Sequence, residues 1–254
     1  MEDIESMQPA VFALMREAGK MMLEAKNEDI EKLVSHKEGK NNLVTEVDKA
    51  VQELLKKGLK EIFPEAIFVG EENHEQHDVS KGYAWIVDPI DGTTNFIKGM
   101  DRSAVSIGLT ENGQPIAGFI YNPYKDEMYH AIKGKGAYCN EKKIHVSSDP
   151  IANGIVTVGT SPYNEELKGT SLNLISRYLG NCLDIRRLGS AALDLVDVAA
   201  GRTVLYEEPL VQSWDIAAGS LIVIEAGGKA TDMDDKPLQY QTHTSIKAWN
   251  GVDE

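Results

Sequence analysis

Apolar residues recur at helical spacing near the start of the chain. Val11, Leu14, Met15, Ala18, Met22 and Leu23 share one stripe and predict an amphipathic helix over residues 6–27. A second helix is expected over 45–62, with Thr45 placed to cap it and Pro64 beyond its end. Residues 32–42, between the two, are polar and without period, which suits a mobile loop. The pattern then turns strand-like near 66–70, 83–88, 103–110, 115–121 and 127–133, with turns at Asn112-Gly113 and Asn122-Pro123. Asn-Gly between apolar runs is a strong hairpin cue, so residues 103–137 read as an antiparallel meander. Beyond about residue 145 strands (154–159, 183–187, 203–206) alternate with helices (164–179, 190–200, 214–226), the order of an α/β unit. The chain therefore divides without a linker into an α+β half, residues 1–145, and an α/β half, residues 146–254.

The chemistry concentrates where one apolar run stops. Ala84 to Val87 ends in two carboxylates, Asp88 and Asp91, with Pro89 and Ile90 between them. Pro89 lacks an N–H and is expected to end the ladder and bend the chain. Gly92-Thr93-Thr94-Asn95 then offers a permissive backbone, hydroxyls and helix caps. A helix starting there would favour an anion beside the carboxylates. Asp-Pro and Asp-Gly also mark ordinary turns, but two acids, a glycine and two threonines behind one apolar strand exceed what a turn needs. Carboxylates for a hard cation beside a phosphate cradle describe a phosphoryl-transfer or phosphate-hydrolysis site. Further acids stand at element edges: Gly70-Glu71-Glu72, Asp48 and Trp214-Asp215. Asp215 comes from the second half and the others from the first, which places the site at their junction.

Four ordered motifs carry a resemblance. They are Leu43-Val44-Thr45-Glu46-Val47-Asp48, Gly70-Glu71-Glu72, Asp88-Pro89-Ile90-Asp91-Gly92-Thr93-Thr94-Asn95-Phe96, and Trp214-Asp215-Ile216-Ala217-Ala218-Gly219 continued through Glu225-Ala226-Gly227-Gly228. In order and spacing the chain resembles the inositol monophosphatase family of Mg²⁺-dependent, lithium-sensitive phosphatases, from about Met7 to Gly251. The resemblance implies a layered αβαβα sandwich of the sugar-phosphatase type, paired as a homodimer. It implies Glu71, Asp88, Asp91 and Asp215 as metal ligands, joined by the Ile90 carbonyl, for on the order of two or three Mg²⁺ ions. Glu71 and Thr93 would orient the attacking water, with Asp48 close behind, and the Gly92 and Thr93 N–H groups would take phosphate oxygens. Gly189, Ser190, Ala191 and Glu208, with Asp215, match substrate contacts, and Lys37 matches a mobile-loop lysine. Glu72, pointing opposite to Glu71 in extended chain, would support the site from behind.

The implied reaction is hydrolysis of inositol 1-phosphate to inositol and phosphate, in the manner of an inositol-1(or 4)-monophosphatase. Fructose 1,6-bisphosphate, adenosine 3′,5′-bisphosphate, NADP and histidinol phosphate are alternatives on the same fold. A regulatory or RNA-polymerase-associated binding protein with secondary catalysis is the alternative from another class, and the intact acid set argues against it. Two departures touch specificity. Asn42 removes a charge usual near the mobile loop, and Pro209 stiffens the approach to Trp214-Asp215 beside Glu208.

Charge and composition narrow the partners. A net charge of −14 argues against nucleic acid, which needs a basic surface. No apolar run approaches the ~20 residues of a membrane span, and the acidic start lacks an export signal, so a cytoplasmic setting is expected. Cys139 and Cys182 match no metal spacing and are expected to be inert. His74-Glu75-Gln76-His77 reads as a solvated loop, Gly134-Lys135-Gly136 as a β-turn, and Met15, Met21 and Met22 as core or dimer contact. Ser190 lacks a nucleophile elbow, so direct attack by water in one inverting step is expected.

Overall fold

The computed structural model describes residues 4–25, 34–36, 43–72 and 78–252. Helix α1 spans Ile4–Ala25 and buries Val11, Leu14, Met15, Ala18 and Met22, while Leu23 faces outward. Short strands β1 (Val34–His36) and β2 (Leu43–Thr45) pair antiparallel. A strand thus stands at 34–36, inside the stretch read from sequence as a loop. Lys37, Asn42 and His74 to His77 lie outside the described residues. Helix α2 (Glu46–Ile62) follows, starting with two acids in the turn where they suit the dipole.

A seven-stranded sheet comes next, in the order β3 (Ile67–Gly70), β4 (Tyr83–Asp91), β5 (Ala104–Glu111), β6 (Gln114–Asn122), β7 (Glu127–Ile132), β8 (Ala137–Cys139) and β9 (Lys142–Lys143). Only β3 and β4 run parallel; the rest form the expected meander. Asn112 and Gly113, at φ 49° and 78°, make its first tight turn, as left-handed hairpin residues do. Helix α3 (Thr93–Ile97) sits between β4 and β5.

Residues 155–249 build a second sheet, in the order β11 (Asp184–Arg186), β10 (Ile155–Val158), β12 (Leu205–Val211), β14 (Thr244–Trp249) and β13 (Lys229–Thr231). Its helices are α4 (Lys168–Tyr178), α5 (Ala191–Ala199) and α6 (Ser213–Glu225). Three cores hold five layers together, the middle one filling two interfaces. Helices α1 and α2 pack on one face of the large sheet through Trp85, Val87, Ile107 and Phe119. Helices α5 and α6 fill the space between the sheets, against Ile86, Ile120 and Tyr129 on one side and Tyr206, Ile246 and Ala248 on the other. Helix α4 covers the outer face of the second sheet through Leu174 and Tyr178. The result is the expected αβαβα sandwich. Helix α6 reaches the large sheet closely because Gly118 has no side chain: a Cβ there would stand 2.5 Å from the Ala218 carbonyl oxygen.

Pro89 and Pro209 sit inside strands rather than ending them. Strand β4 continues through Pro89 to Asp91, with one extra residue bulged between the Asp88–Ser106 and Asp91–Ala104 pairs. Ladder pairing with β3 stops at Val87, so the proline lies where β4 has lost that neighbour. Strand β12 passes through Pro209 with a like shift between Glu208 and Val211, five residues beyond the expected strand end. Bulges re-aim side chains, and each of these flanks an acid of the central cavity.

The Gly134-Lys135-Gly136 segment is the expected turn, and it holds an anion from within the chain. The Gly134 and Gly136 N–H groups donate to the Glu225 carboxylate at 2.7 and 2.8 Å, tying the end of α6 to the β7–β8 turn. Burial pushes both cysteine thiols upward, which favours the thiol over the thiolate. No described helix is long and apolar enough to cross a membrane.

Candidate active site

The bulge in β4 presents Asp88 and Asp91 at the carboxyl end of the strand, both under a tenth exposed. The Asp88 carboxylate accepts the Ile90 N–H at 2.9 Å across the bulge. Asp215 enters from the first turn of α6, where it accepts the Gln212 N–H at 2.7 Å and so caps its own helix. Oxygen atoms of Asp88, Asp91 and Asp215 lie within 4.8 Å of one another. Glu71 follows the last residue of β3 and lines the same cavity, its own N–H bonded to the Val87 carbonyl at 3.1 Å.

Burial sets the electrostatics. It pushes the Asp88 carboxyl well above the ordinary range, with Glu71, Asp91 and Asp215 adding repulsion. Asp91 is raised to about 7 by burial, against the opposing hydrogen bond of Ser190. Burial followed by the charge of Asp91 raises Asp215 likewise. Three carboxylates gathered at one point, each raised by burial and by neighbouring acids, are a poor arrangement for a site without a counter-charge. All the donors are oxygens, the set that a hard divalent cation prefers. The residues present therefore fit a Mg²⁺-type ion.

Helix α3 begins at Gly92 without a side-chain cap, contrary to the capping role expected of its threonines and asparagine. Gly92 stands at φ 85°, and a Cβ there would meet the Arg102 and Gly189 carbonyl oxygens at 3.0 and 3.1 Å. The chain turns left-handed because only glycine fits both constraints. The Thr93 hydroxyl lies 3.3 Å from the Asp48 carboxylate and 3.2 Å from the Ile90 carbonyl. Asp48 is fully buried on α2, behind Thr93 rather than in the cavity wall.

The opposite wall comes from the second sheet and α5. Asp91 accepts from the Ser190 hydroxyl and from the Ala191 and Ala192 N–H groups at 3.2 and 3.1 Å. Ser190, which caps α5, thus pairs with an acid 99 residues away, with no histidine between them. Glu208 is held by the Ser161 N–H at 2.8 Å and the Tyr206 hydroxyl at 2.6 Å. Gly92, Thr93, Gly189, Ser190, Ala191 and Glu208 line one cavity of about 750 Å³ with the four acids. Of the residues singled out from sequence, Asp48 stands behind it and Lys37 lies outside the described residues.

Three supports were not read from sequence. Asn95 Nδ2 donates to the Arg102 and Leu188 carbonyls, both at 2.8 Å, and staples the α3 loop to the segment before α5. Arg102 grips α5 through Asp194 at 2.7 Å and Asp197 at 2.8 Å. Gln52, buried one turn after Asp48, accepts the Glu72 N–H at 2.9 Å and fixes the segment that carries Glu71. The i, i+4 spacing of Asp48 and Gln52 was the available signal, since it puts both on one helix face. Gln52→Leu is expected to cost about 1–3 kcal/mol by removing that acceptor, read as a lower midpoint in urea unfolding.

A layered αβαβα sandwich with an oxygen-rich, cation-fitting acid cluster between its sheets defines a sugar-phosphatase-type phosphatase. Comparison with known proteins narrows the class: the profile of the Inositol monophosphatase family matches residues 3–251, and the chain belongs to that family. An inositol-1-monophosphatase of Bacillus subtilis is 33% identical over 237 residues, covering 93% of this chain and 89% of the relative. The Nus factor SuhB of Escherichia coli is 35% identical over 219 residues, covering 85% and 81%. Among solved structures, an IMPase of Thermotoga maritima matches with a TM-score of 0.84 at 30% identity, over 95% of this chain and 91% of that one.

Proposed function

We propose that this protein is a Mg²⁺-dependent phosphomonoesterase acting on inositol 1-phosphate. The observation that carries the reading is the convergence of Asp88, Asp91 and Asp215 on the cavity that also holds Gly92, Thr93 and Glu208. Glu71, Asp88, Asp91, Asp215 and the Ile90 carbonyl would hold the cation. A bound ion of this kind offsets charge on phosphate oxygens and acidifies water. Glu71 and the Thr93 hydroxyl would orient the attacking water, and Asp48 would keep the Thr93 hydroxyl aimed. The Gly92 and Thr93 N–H groups would receive phosphate oxygens as charge grows on them. Water attacks phosphorus in line, the ester P–O bond breaks, and the alcohol leaves with a proton, with inversion at phosphorus. Glu208 and the 189–191 segment would take hydroxyls of the cyclitol ring.

The reading extends to a homodimer in a cytoplasmic setting with no nucleic-acid or membrane partner. The relatives named Nus factor SuhB raise a second reading, a binding role with secondary catalysis. The complete acid set supports turnover. The test is phosphate release from a panel of cyclitol, sugar and nucleotide phosphates, with Mg²⁺ and with added Li⁺. Inositol 1-phosphate is expected to rank first and Li⁺ to lower its rate. A faster nucleotide or sugar ester would reassign the substrate.

A further inference from the structure

The loop at 159–164 carries an aromatic ring that no core accounts for. Of the large apolar and aromatic side chains that the described residues leave exposed, Tyr163 alone lines the cavity of the acid cluster. Its side chain is 60% exposed and belongs to none of the three cores. Trp214, the other aromatic residue of that wall, packs against the middle core instead. A single exposed ring is ordinary on a protein surface, so its anchorage decides what it does.

Tyr163 is held at its backbone and at its tip. Ser161 and Asn164 close a tight turn, the Asn164 N–H donating to the Ser161 carbonyl at 3.0 Å. Pro162 and Tyr163 are its central residues, and proline presets the first of these positions. Ser161 stands at φ 40°, a conformation that a serine keeps only when its surroundings impose it. They do so here. Its hydroxyl donates to the Leu210 carbonyl at 2.9 Å and accepts the Leu210 N–H at 3.1 Å, while its own N–H goes to Glu208. At the tip, the Tyr163 hydroxyl shares a hydrogen bond with the side chain of Thr94, next to Thr93 on α3. The ring therefore bridges the 159–164 loop and α3, two positions from the serine that fixes Glu208.

We propose that the Tyr163 ring is the platform on which the carbon ring of the substrate's alcohol lies, and that it selects a cyclic polyol ester over an open-chain one. The inference rests on the phosphatase reading and deepens it by assigning this specificity to one side chain. A cyclitol chair turns most of its hydroxyls outward along the ring edge and C–H bonds toward its faces. The edge hydroxyls suit Glu208 and the 189–191 segment, and the C–H face suits the electron-rich face of an aromatic ring. An open chain such as glycerol offers hydroxyls but no such face. A side chain already fixed in a turn loses little freedom on binding, so ordering does not cancel the contact. The attraction does not depend on net charge, so added salt should leave the preference in place.

The test compares inositol 1-phosphate with glycerol 2-phosphate, both esters of a secondary alcohol, by phosphate release with Mg²⁺. Calorimetric Kd values for the matching phosphonates, whose P–C bond water does not break, supply a readout free of turnover. In Tyr163→Ala the preference for the ring ester, as a ratio of kcat/KM, is expected to fall about three- to tenfold, through KM. The ratio of phosphonate Kd values should shift with it. Y163F loses the bond to Thr94 but keeps the ring, so it should keep most of the preference. An unchanged ratio in Y163A would overturn the inference. So would an equal loss on both esters, which would put Tyr163 at the phosphate or in the support of α3. A Y163F as impaired as Y163A would assign the effect to the hydroxyl and overturn it too. If no ester is hydrolysed, the phosphatase reading fails, and the phosphonate ratio still decides the role of Tyr163.

Discussion

Asp91→Asn is expected to lower phosphate release by about a thousandfold while the protein stays folded. Withdrawing one ligand from a charge-stabilising cation site forfeits several kcal/mol, and about 4 kcal/mol is about a thousandfold. Asp91 is the sharpest choice because it joins the two walls, meeting Asp88 and Asp215 on one side and Ser190, Ala191 and Ala192 on the other. The effects on stability oppose each other. Asparagine removes a buried charge that burial already disfavours, and it turns an N–H toward donors that had an acceptor. A melting shift within about 2–4 °C, the equivalent of about 1 kcal/mol at this size, is expected. Circular dichroism melting and phosphate release on the same sample check both halves. Near-native turnover in D91N would remove Asp91 from the metal site.

The second large effect is metal-dependent stability with a definite pH course. In chelated protein Asp91 titrates at about 7 in the fold, against 3.8 when unfolded. The folded state therefore binds more protons than the unfolded one between about pH 4 and pH 7. The sign follows: without metal, stability falls as pH rises through that window, and Asp88 and Asp215, raised by burial, act in the same sense. Mg²⁺ binds the charged carboxylates, so its stabilisation should be largest above pH 7 and fade toward pH 5 as protons compete. At a hundred times its Kd the ion contributes about 2.7 kcal/mol, or about 5–10 °C in Tm for a chain of this length. Melting curves with chelator and with Mg²⁺ at pH 5, 6, 7 and 8 would show the two lines converging at low pH. Parallel lines would mean that these carboxylates do not hold the ion.

What could be read from the residues was mostly local. The Asn112-Gly113 turn and the stripe of α1 are set by neighbours within a few positions, and both appear as expected. Asp88, Asp91 and Asp215 could be picked out because each closes or opens an element beside glycine, proline or tryptophan. What pairs across long separations was out of reach. The Ser190–Asp91 bond spans 99 positions and the Arg102–Asp194 pair spans 92, and no pattern in either segment announces the other. Pro89 was misjudged as a strand breaker, since a bulge lets a strand carry a residue without an N–H, and the strand through Pro209 runs on past its expected end at 206 by the same device. Strand β14 was missed although it lies inside the second sheet, because Thr244 to Trp249 mixes small and polar residues and lacks a strong apolar alternation.

The most direct measurement of the central claim is phosphate release from inositol 1-phosphate by chelated protein as Mg²⁺ is titrated back, with D91N alongside. The account predicts no release in chelator, a saturable return of activity with Mg²⁺, and almost none in D91N at any concentration. Full activity in excess chelator, or equal activity in both proteins, would contradict it.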